Sequence, residues 1–249
     1  MCEENTFSAI GQYFDKLTKL MDESADSKKT ALLIANKLSS NYSMTIMGSL
    51  AEIDNLHKEI CQILDDFGGR QVGLLKHLTV DHLILLIKFY VTQWSTLTDM
   101  IASLINTTFN LGIADKDISF GLVTRNQHVL QSDIVIILKR HSKNIEYDLF
   151  SKHRNEIIHR GKILDKEVLD LKIEWNLLYS KKYSFFIDKP ISDDEYKTER
   201  ASLNVKTFET AASKQSYYRS HYHKTLVAVA EMITAMACKT IDLYKKGTI

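Results

Sequence analysis

A single proline, Pro190, stands in 249 residues, together with nine glycines and three cysteines. So little proline and glycine leaves long stretches in which nothing interrupts a helix, which favours an all-α chain. Cys2, Cys61 and Cys238 are odd in number and far apart, forming neither a CxxC pair nor a secreted-protein disulfide framework. A reducing cytoplasm is the expected setting. Charge of one sign is lacking too: 32 Lys and Arg against 31 Asp and Glu leave a formal net charge of +1. No global pull toward nucleic acid or an anionic membrane follows, and a polyanion must be met by a local patch. Long apolar runs are missing. The most apolar stretch, Leu83 to Val91, contains Lys88 and falls far short of the roughly 20 residues of a span. Glu3, Glu4 and Asp15 occupy the place where a signal peptide needs basic and then apolar residues. Neither export nor membrane association is expected.

What the chain does have is helical period. Phe7, Ile10, Phe14, Leu17 and Leu20 or Met21 form one stripe of an N-terminal helix capped by Asn5 or Thr6. Residues 27–40 read as a second helix and Met44 to Phe67 as a third, ended at Gly68-Gly69. Thr79 to Phe109, with Leu83, Ile87, Tyr90, Trp94, Leu97, Ile101 and Leu104 at helical spacing, reads as the central core helix, capped by Thr79 or Asp81. A loop with a short turn follows over Asn110 to Thr124, then a helix through Val129, Ile136 and Ile137 to about His141. A shorter helix runs from Ile145 or Glu146 to Arg160 and is ended by Gly161.

Asp165 to Tyr179 fits both periods: Val168, Leu171, Trp175 and Leu178 suit a helix, whereas Leu171, Ile173, Trp175 and Leu177 alternate as in a strand. Helix is the preferred reading. A small irregular excursion, with room for a hairpin, is expected around residues 181–206, before a final helix from about Phe208 to Tyr244. Length and order then favour one helical bundle domain over residues 1–249.

The densest polar chemistry is the run Lys152-His153-Arg154-Asn155-Glu156-Ile157-Ile158-His159-Arg160-Gly161-Lys162. Asn155 and His159, four apart, share a helix face; Arg154 and His159, five apart, are separated by about 140° and about 7.5 Å of rise. One helix therefore does not converge that arginine and histidine on one phosphate. Two copies packed antiparallel across a two-fold axis would, with Ile157 and Ile158 anchoring each helix in its own core.

The sequence Arg154-Asn155-Glu156-Ile157-Ile158-His159, continued by Arg160-Gly161, resembles the motif of the HEPN superfamily: an arginine, a polar residue after it, and a histidine four to six residues beyond the arginine. The resemblance implies a helical bundle that dimerises through the motif helix. In many members it also implies metal-independent RNA cleavage, and in a large minority binding without cleavage. Carried onto this chain, His159 is the proton-transfer group at the ribose 2'-OH, and Arg154 grips the scissile phosphate with its two-pronged guanidinium. Asn155 orients one of them, since an amide does not titrate in this range. Lys152, Arg160 and Lys162 are the candidate RNA-backbone contacts, although basic side chains at a helix C-terminus also favour its dipole. RNA and a second copy of the chain are the expected partners, with a regulatory protein and a defence or toxin role as further expectations; no cofactor and no metal is called for.

Three readings compete: an RNA-cleaving enzyme, a catalytically silent helical dimer binding RNA, nucleotide or a protein, and a purely structural module in which Arg154 pairs with Glu156 and His159 caps a carbonyl. Other candidates are weaker. His221 and His223, two apart, diverge by about 200° on a helix and do not make a metal pair. Gly68-Gly69-Arg70-Gln71-Val72-Gly73 lacks both the dinucleotide fingerprint and the Walker lysine. His77 and His82 read as structural, Trp94 and Trp175 as core anchors, and Tyr217, Tyr218 and Tyr222 as packing residues.

Overall fold

The computed structural model describes residues 37–67, 79–141, 147–183 and 190–245. The N-terminal helix expected over residues 7–21, the Gly68-Gly69 stop, His77 and any hairpin over 184–189 lie outside them. Within them the chain is all-α, without a strand. In order come α1 (Lys37–Phe67), α2 (Val80–Thr108), a 3-10 turn (Asp115–Asp117), α3 (Phe120–Thr124), α4 (Gln127–Leu130), α5 (Asp133–His141), α6 (Tyr147–Arg160), α7 (Lys166–Tyr183) and α8 (Asp193–Lys245).

Several expected boundaries move, each for a local reason. Residues 37–40, the described end of the expected second helix, run on into the third as one α1, and Gly48 inside it costs the helix only about 1 kcal/mol. The helix expected up to His141 is split into α4 and α5, each with its own start; Asn126 Oδ1 accepts the His128 N–H at 3.0 Å to open α4. The excursion expected over residues 181–206 is much shorter. Lys181 to Tyr183 complete α7, and α8 begins at Asp193, fifteen residues before Phe208. Ser192 and Glu195 form a capping box: the Glu195 N–H donates to Ser192 Oγ at 3.2 Å, and the Ser192 N–H donates to Glu195 Oε2 at 2.9 Å. Asp193, Asp194 and Glu195 thus lie in the first turn, where the helix dipole favours anions.

The chain divides into two compact units, and α1, α2 and α8 contribute to both. One unit takes described residues 37–59, 94–141 and 221–245. Its interior combines Leu50 and Ile53 of α1, Leu97 and Ile101 of α2, Val123 and Val129 of the short helices, and Met232 and Ile233 of α8. Two polar pairs lie inside it: His57 Nδ1 is 2.8 Å from the Tyr222 hydroxyl, and Trp94 Nε1 donates to Thr225 Oγ1 at 3.1 Å.

The other unit takes residues 60–67, 79–93, 147–183 and 190–220. Leu64 and Phe67 of α1, Leu83, Ile87 and Tyr90 of α2, four residues of α7 and Tyr218 of α8 are buried in it. Tyr90 donates its hydroxyl to the Tyr218 carbonyl at 3.3 Å, and Trp175 Nε1 donates to Thr207 Oγ1 at 3.1 Å. Trp94, Trp175, Tyr218 and Tyr222 are buried as expected, whereas Tyr217 is exposed.

Helix α7 explains its own ambiguity. Val168, Leu171, Trp175 and Leu178 form the buried stripe, while Leu169, Ile173 and Leu177, spaced by four, form a second apolar stripe that is exposed. Two stripes on opposite faces of one helix produce the in-out alternation of a strand.

Candidate functional site

Helix α6 carries the whole motif from Lys152 to Arg160. It ends where Gly161 adopts a left-handed φ of 63°, which a residue with a Cβ enters only at a cost. There the Gly161 N–H donates to the Ile157 carbonyl at 2.9 Å and the Lys162 N–H to the Glu156 carbonyl at 3.2 Å. The cap stops the helix two residues after His159, so His159 sits in the last turn. Asp165 then starts α7, accepting the Val168 N–H at 3.2 Å through Oδ1.

On this helix Asn155 and His159 are both exposed, on the face their spacing gives them, and Arg154 is half-buried. Ile158 lies between these two on the same exposed side, 51% exposed, and Ile157 is half-buried. The expected anchoring of both isoleucines in the helix's own core is therefore corrected: Ile157 leans inward and Ile158 faces out, because consecutive residues are about 100° apart and one stripe cannot hold both. Lys152, Arg160 and Lys162 are exposed. Arg160 Nη1 donates to Glu156 Oε1 at 3.0 Å and Oε2 at 3.3 Å, an exposed pair one helical turn apart that exchanges readily with water or phosphate. Glu156 thus serves Arg160, one turn on.

Sequence reasoning missed His153. It is 7% exposed, and its Nε2 accepts the Leu164 N–H at 2.8 Å. Burial pushes its pKa below the ordinary 6.5, with the Asp165 carboxylate opposing. A signal was present, since His153 precedes Ile157 by four and both lie on the inner side of α6. Lys214 of α8 was missed too: Nζ bonds Asp165 at 2.9 Å and Glu167 at 2.7 Å, tying the start of α7 to α8.

Among the other candidates, His221 is buried with its ring 5.4 Å from that of Trp94, while His223 is exposed, so the two diverge as their spacing requires. His82 is exposed, and its N–H donates to Thr79 Oγ1 at 3.3 Å, which makes Thr79 the cap of α2. No helix among the described residues is long and apolar enough to cross a membrane.

No curated protein and no solved structure matches the chain. A family model does: that of the HEPN_Cthe2314-like HEPN family matches residues 75–242, about two thirds of the chain, including α6 and its motif. The all-helical fold and this match agree, and the chain belongs to the HEPN_Cthe2314-like HEPN family.

Proposed function

We propose that the protein is a metal-independent endoribonuclease that cleaves single-stranded RNA by attack of a ribose 2'-OH, with the motif helices of two copies facing one cleft. The observation that carries this reading is the outward presentation of Asn155 and His159, beside Arg154, at the capped end of α6 in a chain of the HEPN family. His159 of one copy takes the 2'-OH proton as the oxygen attacks phosphorus, and His159 of the other delivers a proton to the departing 5'-oxygen. The P–O5' bond breaks, leaving a 2',3'-cyclic phosphate and a 5'-hydroxyl. Arg154 holds the phosphate and offsets the charge of the phosphorane. DNA is excluded for want of the 2'-OH. Lys152, exposed in the middle of the helix, and Arg160 and Lys162 at its end supply charge for the backbone on either side.

A two-fold contact is supported by apolar surface that one copy leaves uncovered. Ile158 stands among the polar residues of the motif, and α7 exposes Leu169, Ile173 and Leu177 on a face turned from its own core. Helices apolar on opposite faces are built to be covered on both.

Incubation of the protein with mixed RNA oligonucleotides in EDTA tests the reading. Cleavage to cyclic-phosphate ends is expected, with His159→Ala slowed by about 10²-fold or more while RNA binding persists. Arg154→Ala should lower both turnover and affinity, and Arg154→Lys should restore only part of the loss, because a point charge does not reproduce a planar grip. Full activity of His159→Ala removes the mechanism. Tight RNA binding by the wild type with no cleavage replaces it by the silent dimer.

A further inference from the structure

Helix α6 turns one titratable side chain inward, immediately before Arg154. The His153 Nε2 accepts the main-chain N–H of Leu164 at 2.8 Å, and the chain between them passes the end of the helix and the left-handed Gly161. An Nε2 that accepts carries no proton, so the ring is neutral with its proton on Nδ1. This one bond ties the helix to the return segment that leads to α7.

The surroundings make the bond consequential. Asp165, one residue beyond Leu164, is the charged group that acts on His153, and it is itself held by Lys214 of α8, which also bonds Glu167 of α7. Tyr218 of α8 feels the same carboxylate, and Lys152 and Arg154 flank His153 on α6. The return is thus fixed at Asp165 by ion pairs and at Leu164 by the imidazole alone among the bonds described. Protonation at Nε2 would set a donor against the Leu164 N–H, so that the bond from the helix to the return segment is lost.

We propose that His153 is a positioning residue for the Arg154 and His159 site: a neutral imidazole that clamps the end of the motif helix to the return segment and releases it on protonation. The positioning role rests on the reading of Arg154 and His159 given above; the clamp itself does not. Since burial lowers the pKa in the folded state, the folded chain binds fewer protons than the unfolded one, and the clamp is complete above pH 6.5 and lost as pH falls through the lowered value.

Two substitutions separate the roles in the full-length protein. His153→Gln keeps an acceptor at the same number of bonds from Cβ and does not titrate; His153→Phe keeps a ring and removes the acceptor. Three probes are followed: hydrogen-exchange protection of the Leu164 amide, the His159 ring resonance in NMR spectra, and RNA cleavage in EDTA. Wild-type Leu164 protection should fall as pH drops below 6.5, while His153→Gln should stay flat. At neutral pH, His153→Phe should lose about tenfold or more in Leu164 protection, shift the His159 resonance and slow cleavage about tenfold, with His153→Gln within about twofold of wild type. Wild-type protection that ignores pH overturns the clamp, as does full protection in His153→Phe. Lost protection with an unmoved His159 resonance and full cleavage overturns the positioning role. If His153→Phe fails to fold, the comparison of wild type with His153→Gln across pH decides the clamp. A wild type that cuts no RNA defeats the nuclease reading alone, because the Leu164 and His159 probes still report.

Discussion

Lys214 joins two carboxylates from the start of α7, and its side chain and that of Asp165 are only 15% and 12% exposed. Burial pulls the lysine pKa down, but the bonds to Glu167 and Asp165 outweigh it and hold the ammonium above its ordinary 10.5. A raised pKa means stability that is present below pH 10.5 and lost as pH rises through the folded value. Lys214→Met should therefore lower the unfolding free energy by about 1–2 kcal/mol near neutrality, as for a charged hydrogen bond partly open to solvent. Urea denaturation is the measurement, and the gap between variant and wild type should narrow as pH passes 10.5. That Arg154, Asn155 and His159 share one helix, with Asn155 and His159 on one exposed face, was legible in the sequence because spacing is a local property of a helix. The roles of His153 and Lys214 were not, since each depends on where Leu164 or Asp165 returns in space, and nothing in residues 152–160 encodes that return.

At the scale of elements, glycine makes the end of the motif helix. Gly161 has φ 63° and a Cβ placed there would meet no atom within 4 Å, so the cost of Gly161→Ala is conformational and not steric. It should amount to about 1 kcal/mol, read as a lower urea midpoint with an unchanged slope. Gly161→Asn should cost less, because asparagine enters the left-handed region more readily. The stop was legible, as was α2 from Thr79 onward, where one long stripe and one cap agree. The start of α8 is hard to see in the sequence because Pro190 and the acids that follow it also suit a surface excursion; Ser192 and Glu195, three apart, carry the signal of a capping box. Helix α7 was ambiguous for a different reason. Its second stripe reports a surface to be covered, and a period read from one chain cannot separate that from the alternation of a strand.

At the scale of the whole molecule, the 140° between Arg154 and His159 becomes a statement about assembly, because one helix offers them in different directions. If two copies share one cleft, each reacting phosphate uses the histidine of both, and one His159→Ala copy disables the site it shares. Mixing an excess of His159→Ala into the wild type, with time for subunits to exchange, should then lower RNA cleavage below that of the same amount of wild type alone, since each mixed dimer retains one of the two histidines that the reaction uses. Ile173→Glu places a charge on the exposed stripe of α7 and leaves the buried stripe of Leu171, Trp175 and Leu178 intact. It should keep the helical circular dichroism of the wild type, shift light scattering from dimer to monomer, and, added to His159→Ala, abolish the suppression of the wild type on mixing. Leu171→Glu differs by two residues along the helix and should unfold the chain instead, because it buries a charge with no partner. Suppression that persists when His159→Ala also carries Ile173→Glu would place the contact on another face, and wild-type cleavage left untouched by His159→Ala would mean that each copy completes its own site.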